Sequence, residues 1–121
     1  IIHGGINEKA GYQGFMQIAK NSKLPEVIYA FTFPIALGIY TAARELGLKI
    51  SEDIDVVCFG VGRYNRYLTP AMTYMDQPAA EIGREALELL LSKISGNSAE
   101  IDQIVVPSKL QICDTCNPNK D

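Results

Sequence analysis

Apolar residues along this chain fall into two alternating patterns: short continuous runs, and longer stretches spaced three or four apart. Continuous β-branched and aromatic runs bounded by Gly or Pro read as strands, and i, i+3, i+4, i+7 spacing reads as an amphipathic helix. Ile1-Ile2-His3 reads as the end of a strand, broken by Gly4-Gly5. Asn7 is a candidate N-cap for a helix through Lys20, with Gly11, Gly14, Phe15 and Ile18 on one face. Each of those glycines costs roughly 1 kcal/mol of helix propensity relative to alanine, a cost that close approach to a neighbouring element would offset. Val27-Ile28-Tyr29-Ala30-Phe31 reads as a strand buried on both faces. A second helix runs from Pro34, in its first turn, to Leu46, with Ile35, Gly38, Ile39, Ala42 and Leu46 on one face and Gly47 just past its end.

After the turn Ser51-Glu52-Asp53, the run Ile54 to Phe59 forms a third strand that ends at Gly60-Val61-Gly62. Arg63 to Pro70 reads as a loop, and Met72 to Met75 as a short strand. Pro78 opens a third helix at its first position and Gly96 closes it, with Ile82, Ala86, Leu89, Leu90 and Ile94 on a buried stripe. Ile101 to Val106 and Leu110 to Ile112 read as final strands separated by Pro107, and Asn117 to Asp121 as a frayed polar tail. The order β-α-β-α-β predicts an α/β fold of parallel strands with right-handed crossovers. In open sheets of this kind ligands bind outside the carboxyl ends of the strands. That rule nominates Gly4 to Asn7, Thr32 to Pro34 and Gly60 to Asn65.

Composition narrows the function classes. At 121 residues, 47% hydrophobic and 21% charged, the chain has the balance of one soluble domain. A net charge of -3 argues against nucleic-acid binding by this segment, since phosphate neutralisation needs a surplus of Lys and Arg. The densest basic group is Arg63 and Arg66, interleaved with Tyr64 and Tyr67. No stretch reads as a signal peptide or membrane span, and the start at Ile1 suggests a piece of a longer protein. Three cysteines, Cys58, Cys113 and Cys116, make no disulfide framework and point to a reducing cytoplasm. Cys113-Asp114-Thr115-Cys116 is a C-x-x-C, but zinc needs four ligands, and a redox pair belongs at a helix N-terminus rather than after a strand. His3 has no partner pattern, and there is no phosphate loop, G-x-G-x-x-G or nucleophile-base pair. The chain is therefore expected to be no enzyme and to hold no metal or cofactor.

Two segments carry a specific resemblance. Gly47 to Gly60, GLKISEDIDVVCFG, resembles the "G-L-x-I/V-P-x-D-I/V-x-V-x-G-F/Y-D" run of the LacI/GalR family of transcription regulators. Leu68 to Pro78, LTPAMTYMDQP, resembles that family's "x-x-P-x-L-T-T-I-x-Q-P", followed by a helix with Gly83 at the family's glycine. Gly11-Tyr12 and Pro25-Glu26-Val27-Ile28 match upstream. The resemblance implies a parallel-sheet, three-layer lobe of the periplasmic-binding-protein-like type I fold, incomplete in this fragment. It also implies a division of the chain, with residues 1–75 and 108–116 in the C-terminal lobe and residues 76–107 in the N-terminal lobe. A helix-turn-helix headpiece outside this sequence would bind DNA. A small molecule in the cleft between the lobes would shift the operator affinity of a homodimer, and no membrane contact is implied.

The same resemblance nominates ligand residues, each with a plainer alternative. Phe33 stands where the family has an Asp, and reads as an apolar wall or stacking platform, or as a buried aromatic at a strand-helix junction; Thr32 precedes it at a polar position. Gly60 replaces the family's ligand-gripping Asp, which alters specificity, or else supplies a turn. Ile6 sits where many members place an aromatic ring, and reads as pocket lining or as core. Gln77 keeps the family residue at the lobe crossover, and reads as a cleft contact or as support for the Pro78 helix. Arg63 and Tyr64 enter by loop position instead: they belong to the donor-rich aromatic loop Arg63 to Tyr67, which reads as binding nucleic acid, lining the cleft, facing a partner or solvated, with its place at the carboxyl end of a strand favouring the cleft. The expected function is sensing of a sugar-like effector by a bacterial transcription regulator; the alternative is a periplasmic solute-binding receptor of a sugar transporter, with the same fold.

Overall fold

The computed structural model describes residues 1–2, 4–20, 23–96 and 103–116. Among them the elements run α1 (Glu8–Ala19), β1 (Val27–Ala30), α2 (Phe33–Glu45), β2 (Asp55–Phe59), a 3-10 helix (Gly62–Tyr67), β3 (Thr73–Asp76), α3 (Ala79–Ile94) and β4 (Lys109–Gln111). The strands form one sheet in the order β1-β2-β3-β4. β1 and β2 pair in parallel from Val27 opposite Asp55 to Ala30 opposite Cys58, and β2 and β3 pair in parallel from Val57 opposite Thr73 to Phe59 opposite Met75. The predicted α/β architecture is thus observed.

Local chemistry explains the element ends. Asn7 caps α1, its side-chain oxygen accepting the Ala10 N–H at 2.9 Å. Pro34 sits in the first turn of α2, where its missing N–H costs nothing. Gly47, at φ +69, adopts the left-handed conformation that ends this helix. Alternate strand residues point to one face of the sheet, so Ala30, Val56 and Cys58 pack with Phe15 of α1 and Ala36, Ile39, Ala42 and Ala43 of α2 in a single core. The two helices cross where neither carries a side chain. A Cβ on Gly11 would lie 2.1 Å from the Ile35 carbonyl oxygen, and one on Gly38 would lie 2.0 Å from that of Glu8. The close approach expected at Gly11 is therefore present, and Gly38 is its counterpart.

The chain divides into two compact units, Ile1–Asp76 with Leu110–Asp121, and Gln77–Lys109. The first holds β1 to β3, α1 and α2. The second holds α3, none of whose residues is buried.

Several expectations are corrected. Ile1 and Ile2 form no strand, and both are exposed. β1 is not buried on both faces: Val27 is 54% and Tyr29 58% exposed, because α1 and α2 pack on the face that carries Ala30 and, among the described residues of this unit, there is no further α-helix for the other. The 63–70 loop contains the 3-10 helix. Pro78 is the N-cap of α3 rather than its first residue. The apolar stripe of α3 is largely exposed (Ile82, Leu90 and Ile94), since α3 is the only helix in its unit among the described residues. Residues 103–106 are not strand, and β4 spans Lys109–Gln111 instead of 110–112. His3 and the 117–121 tail lie outside the described residues, as do residues 101 and 102.

Candidate ligand-binding site

Three chain segments meet beyond the carboxyl ends of β1 and β2. Past β1 the backbone stays extended through Thr32 (φ -140, ψ 157) and then turns into α2 at Phe33. The Thr32 hydroxyl does not cap α2; it donates to the Ile6 carbonyl oxygen at 3.3 Å. This bond fixes the segment before α1 beside the start of α2, leaving the Ile6 side chain 69% exposed. Past β2, Gly60 takes φ +70 and donates its N–H to the Met75 carbonyl at 3.0 Å. That is a turn residue in the left-handed region, where glycine is free of the Cβ penalty. Val61, 4% exposed, anchors the turn in the core, and Gly62 is again left-handed at φ +56.

The 3-10 helix that follows brings Tyr64 onto Phe33. Their ring centroids are 6.0 Å apart with planes 11° from parallel, an offset stack worth about 0.5–1.5 kcal/mol beyond its buried area. The Arg63 guanidinium carbon lies 5.4 Å from the Tyr64 centroid, within cation-π range. The structure therefore brings Ile6, Thr32, Phe33, Gly60, Arg63 and Tyr64 to one end of the first unit. Phe33 is half-buried and Tyr64 is 50% exposed, so the stacked pair presents aromatic surface outward. Gln77 belongs to the second unit, where its carbonyl accepts the Ala79 N–H at 2.7 Å at the head of α3.

What holds this loop was not recognisable from the sequence. The Asn65 side chain pairs with the Met72 backbone in both directions, accepting its N–H at 2.7 Å and donating to its carbonyl at 3.0 Å, as a neighbouring peptide would. The Tyr40 hydroxyl donates to the Pro70 carbonyl at 2.8 Å. Thr115, fully buried, accepts the Thr73 N–H through its hydroxyl at 2.7 Å and donates the same hydroxyl to the Val56 carbonyl at 2.7 Å. One Asn among loop residues, and one Thr inside a C-x-x-C, carry no pattern that marks such roles.

One cysteine helps support the loop: the Cys113 sulfur accepts from the Asn65 amide at 3.6 Å. Burial pushes the Cys58 thiol up to about 12, so it stays protonated and shielded, while Cys113 and Cys116 are half-buried in the turn that carries Thr115. Because the thiolate is the reactive form, Ellman's reagent should titrate two thiols in the native protein and the third only after unfolding. Immediate reaction of all three would contradict the packing of β2. Among the described residues no group of three or more His, Cys, Asp and Glu is placed to hold a metal ion, and no helix is long and apolar enough to cross a membrane.

Comparison with known proteins places this geometry in a wider set. A family model described as "Periplasmic binding protein-like domain" matches residues 3–116. The HTH-type transcriptional repressor PurR of Salmonella paratyphi B is 32% identical over 110 residues, which make up 91% of this chain and 32% of that protein. The chain thus spans about a third of the length of this curated relative. Among solved structures, a LacI family transcriptional regulator from Enterococcus faecalis, with bound ribose, is 27% identical at a TM-score of 0.88, covering 98% of this chain and 44% of its own. A regulatory protein of the LacI family from Chloroflexus aggregans is 28% identical at a TM-score of 0.88, covering 97% and 42%.

Proposed function

Because the chain belongs to the periplasmic binding protein-like domain family, in the form carried by LacI-type transcription regulators, we propose that it is the C-terminal part of an effector-sensing domain whose ligand is a small ring-shaped molecule. The relatives that support this are repressors and regulators, not enzymes. The observation that carries the ligand class is the Phe33–Tyr64 stack beside Arg63 at the carboxyl ends of parallel strands. A flat or puckered ring gains apolar contact on such a platform, and polar groups at its rim reach Thr32 and Arg63. The bound ribose of the Enterococcus faecalis relative supports a sugar-like ring.

In this reading the unit Ile1–Asp76 with Leu110–Asp121 belongs to one lobe of the sensor, and Gln77–Lys109 to the other, with Gln77 at the crossover. A ligand that binds one arrangement of the lobes better than another shifts the population toward it, and a dimer transmits that shift to a DNA-reading headpiece elsewhere in the parent protein.

Titration of the intact protein that carries this sequence with pentoses, hexoses, nucleobases and acyclic polyols tests the reading. A cyclic ligand is expected to bind and to change operator affinity, and Phe33→Ala or Tyr64→Ala should each weaken it about tenfold. Preferential binding of an acyclic ligand, unaffected by either substitution, would overturn it.

A further inference from the structure

Ligand sensing leaves one motif of the sequence without a role, Cys113-Asp114-Thr115-Cys116. It folds as a tight turn, closed by the Cys116 N–H donating to the Cys113 carbonyl at 3.4 Å. A four-residue turn keeps its end Cα atoms within about 7 Å, and a disulfide spans about 4.4–6.8 Å between Cα atoms. The backbone thus holds the two cysteines at about the separation a disulfide needs. The turn is also fixed from outside. The Asp114 carboxylate accepts the Ala71 N–H at 3.2 Å, the Thr115 N–H donates to the Ala71 carbonyl at 2.9 Å, and the Cys113 N–H donates to the Thr73 hydroxyl at 2.9 Å. Closing a bond across it calls for side-chain rotation rather than backbone movement.

Neither sulfur is held by a strong partner. The Cys113 sulfur accepts from the Asn65 amide at 3.6 Å, and the Cys116 thiol donates to the Val56 carbonyl at 3.8 Å. Both of those partners have a shorter bond elsewhere. The Asn65 amide donates to the Met72 carbonyl at 3.0 Å, and the Val56 carbonyl accepts the Thr115 hydroxyl at 2.7 Å. Withdrawing the two sulfurs therefore leaves neither group without a partner. Cys113 and Cys116 are half-buried and within reach of a small oxidant, whereas Cys58, the third cysteine of the chain, is fully buried on β2. A helix N-terminus speeds a catalytic C-x-x-C by favouring the thiolate, but a pair that only closes and reopens needs proximity and access.

We propose that Cys113 and Cys116 are a reversible thiol–disulfide pair whose closure locks the turn that bridges β2 and β3. The oxidant is a low-molecular-weight disulfide such as oxidised glutathione. The thiolate of one cysteine attacks it, forming a mixed disulfide and expelling one small thiolate. The thiolate of the other cysteine then attacks the protein-side sulfur and expels the second. Two protein thiols are oxidised, the external disulfide is reduced to two thiols, and the two protons the cysteines lose end on those thiols. Thr115 lies inside the closed loop, with its hydroxyl on Val56 and Thr73. A bond across the turn removes open conformations in which Thr115 peels away from both strands.

Incubation of the intact protein with oxidised glutathione, followed by peptide mapping without reductant and by amide hydrogen exchange, tests this. A Cys113–Cys116 linkage should form with no lasting glutathione adduct at either residue, and dithiothreitol should reverse it. In Cys113→Ser or Cys116→Ser the remaining cysteine should keep its glutathione, because no second thiol is there to expel it. Exchange in residues 71–75 and 113–116 should slow several-fold in the linked protein and in neither variant. Thiols left free by the oxidant, lasting adducts on both cysteines, or a linkage between two copies of the chain would overturn the pairing. A Cys113–Cys116 linkage that leaves exchange in those segments unchanged would overturn the locking.

Discussion

Gly38→Ala is expected to destabilise the protein by about 3 kcal/mol or more, lowering its melting temperature by roughly 10 °C. The expectation runs against helix propensity, which favours alanine over glycine inside a helix by about 1 kcal/mol. Packing decides the sign. The added methyl would sit 2.0 Å from the Glu8 carbonyl oxygen and 2.5 Å from the Tyr12 nitrogen, both backbone atoms of α1. A flexible side chain could swing aside, but a helix backbone moves only as a unit. The two helices would have to separate, loosening Phe15, Ala36 and Ile39 together in the core. Gly11→Ala meets the Ile35 backbone in the same way and belongs to the same class. Gly83→Ala provides the contrast, because nothing lies within 4 Å of its position on α3. There only the propensity and chain-entropy gains remain, and a stabilisation of about 0.5–1 kcal/mol is expected. Thermal and urea unfolding of the three variants would measure all of this; a Gly38→Ala protein that melts with the parent would refute the close helix crossing.

The glycines also show what a sequence can and cannot disclose. Gly11 on an otherwise periodic helix face signalled a close approach, because a helix-interior glycine needs a compensating reason. The strand at 27–31 and the helix after Pro34 were legible for similar reasons: local pattern and local punctuation agree there. The exposure of Tyr29 was not legible. A continuous apolar run gives the character of a strand but not what covers each of its faces, and in β1 only the Ala30 face meets α1 and α2 in the core among the described residues. The α3 stripe failed in the same way, since an amphipathic period names a face that seeks burial without saying where its partner is. For the candidate site, the rule that ligands gather at strand carboxyl ends nominated Thr32, Phe33, Gly60 and Arg63, and the structure sets them at one end of the first unit. The stacking of Phe33 on Tyr64 joins residues far apart in sequence through a 3-10 turn whose geometry depends on Asn65 imitating a backbone neighbour of Met72. No local pattern encodes that.

Thr115→Val should cost about 3 kcal/mol although it changes neither shape nor volume appreciably. In the native fold the Thr115 backbone joins both sides of a gap, donating to the Ala71 carbonyl at 2.9 Å and accepting from the Val56 N–H at 3.2 Å. Its hydroxyl does the same again, between the Val56 carbonyl and the Thr73 N–H. Valine keeps the backbone pair and removes the hydroxyl, leaving the Thr73 N–H buried without a partner and the Val56 carbonyl with the weak Cys116 thiol at 3.8 Å in place of the hydroxyl, each loss costing about 1–3 kcal/mol. Thr115→Ser keeps the hydroxyl and gives up one methyl, worth roughly 1 kcal/mol. The two variants therefore separate hydrogen bonding from packing: serine should unfold well above valine, and the reverse order would show that the methyl, not the hydroxyl, holds β3 in place. The consequence reaches the site. Thr73 is further tied to Cys113 through its own hydroxyl, at 2.9 and 3.0 Å, and the next residue back, Met72, is the one that Asn65 grips. Loosening β3 at Thr115 thus releases the strand against which the Arg63–Tyr64 turn is fastened. Thr115→Val should weaken ligand binding at temperatures where the protein is still folded, and Thr115→Ser should not.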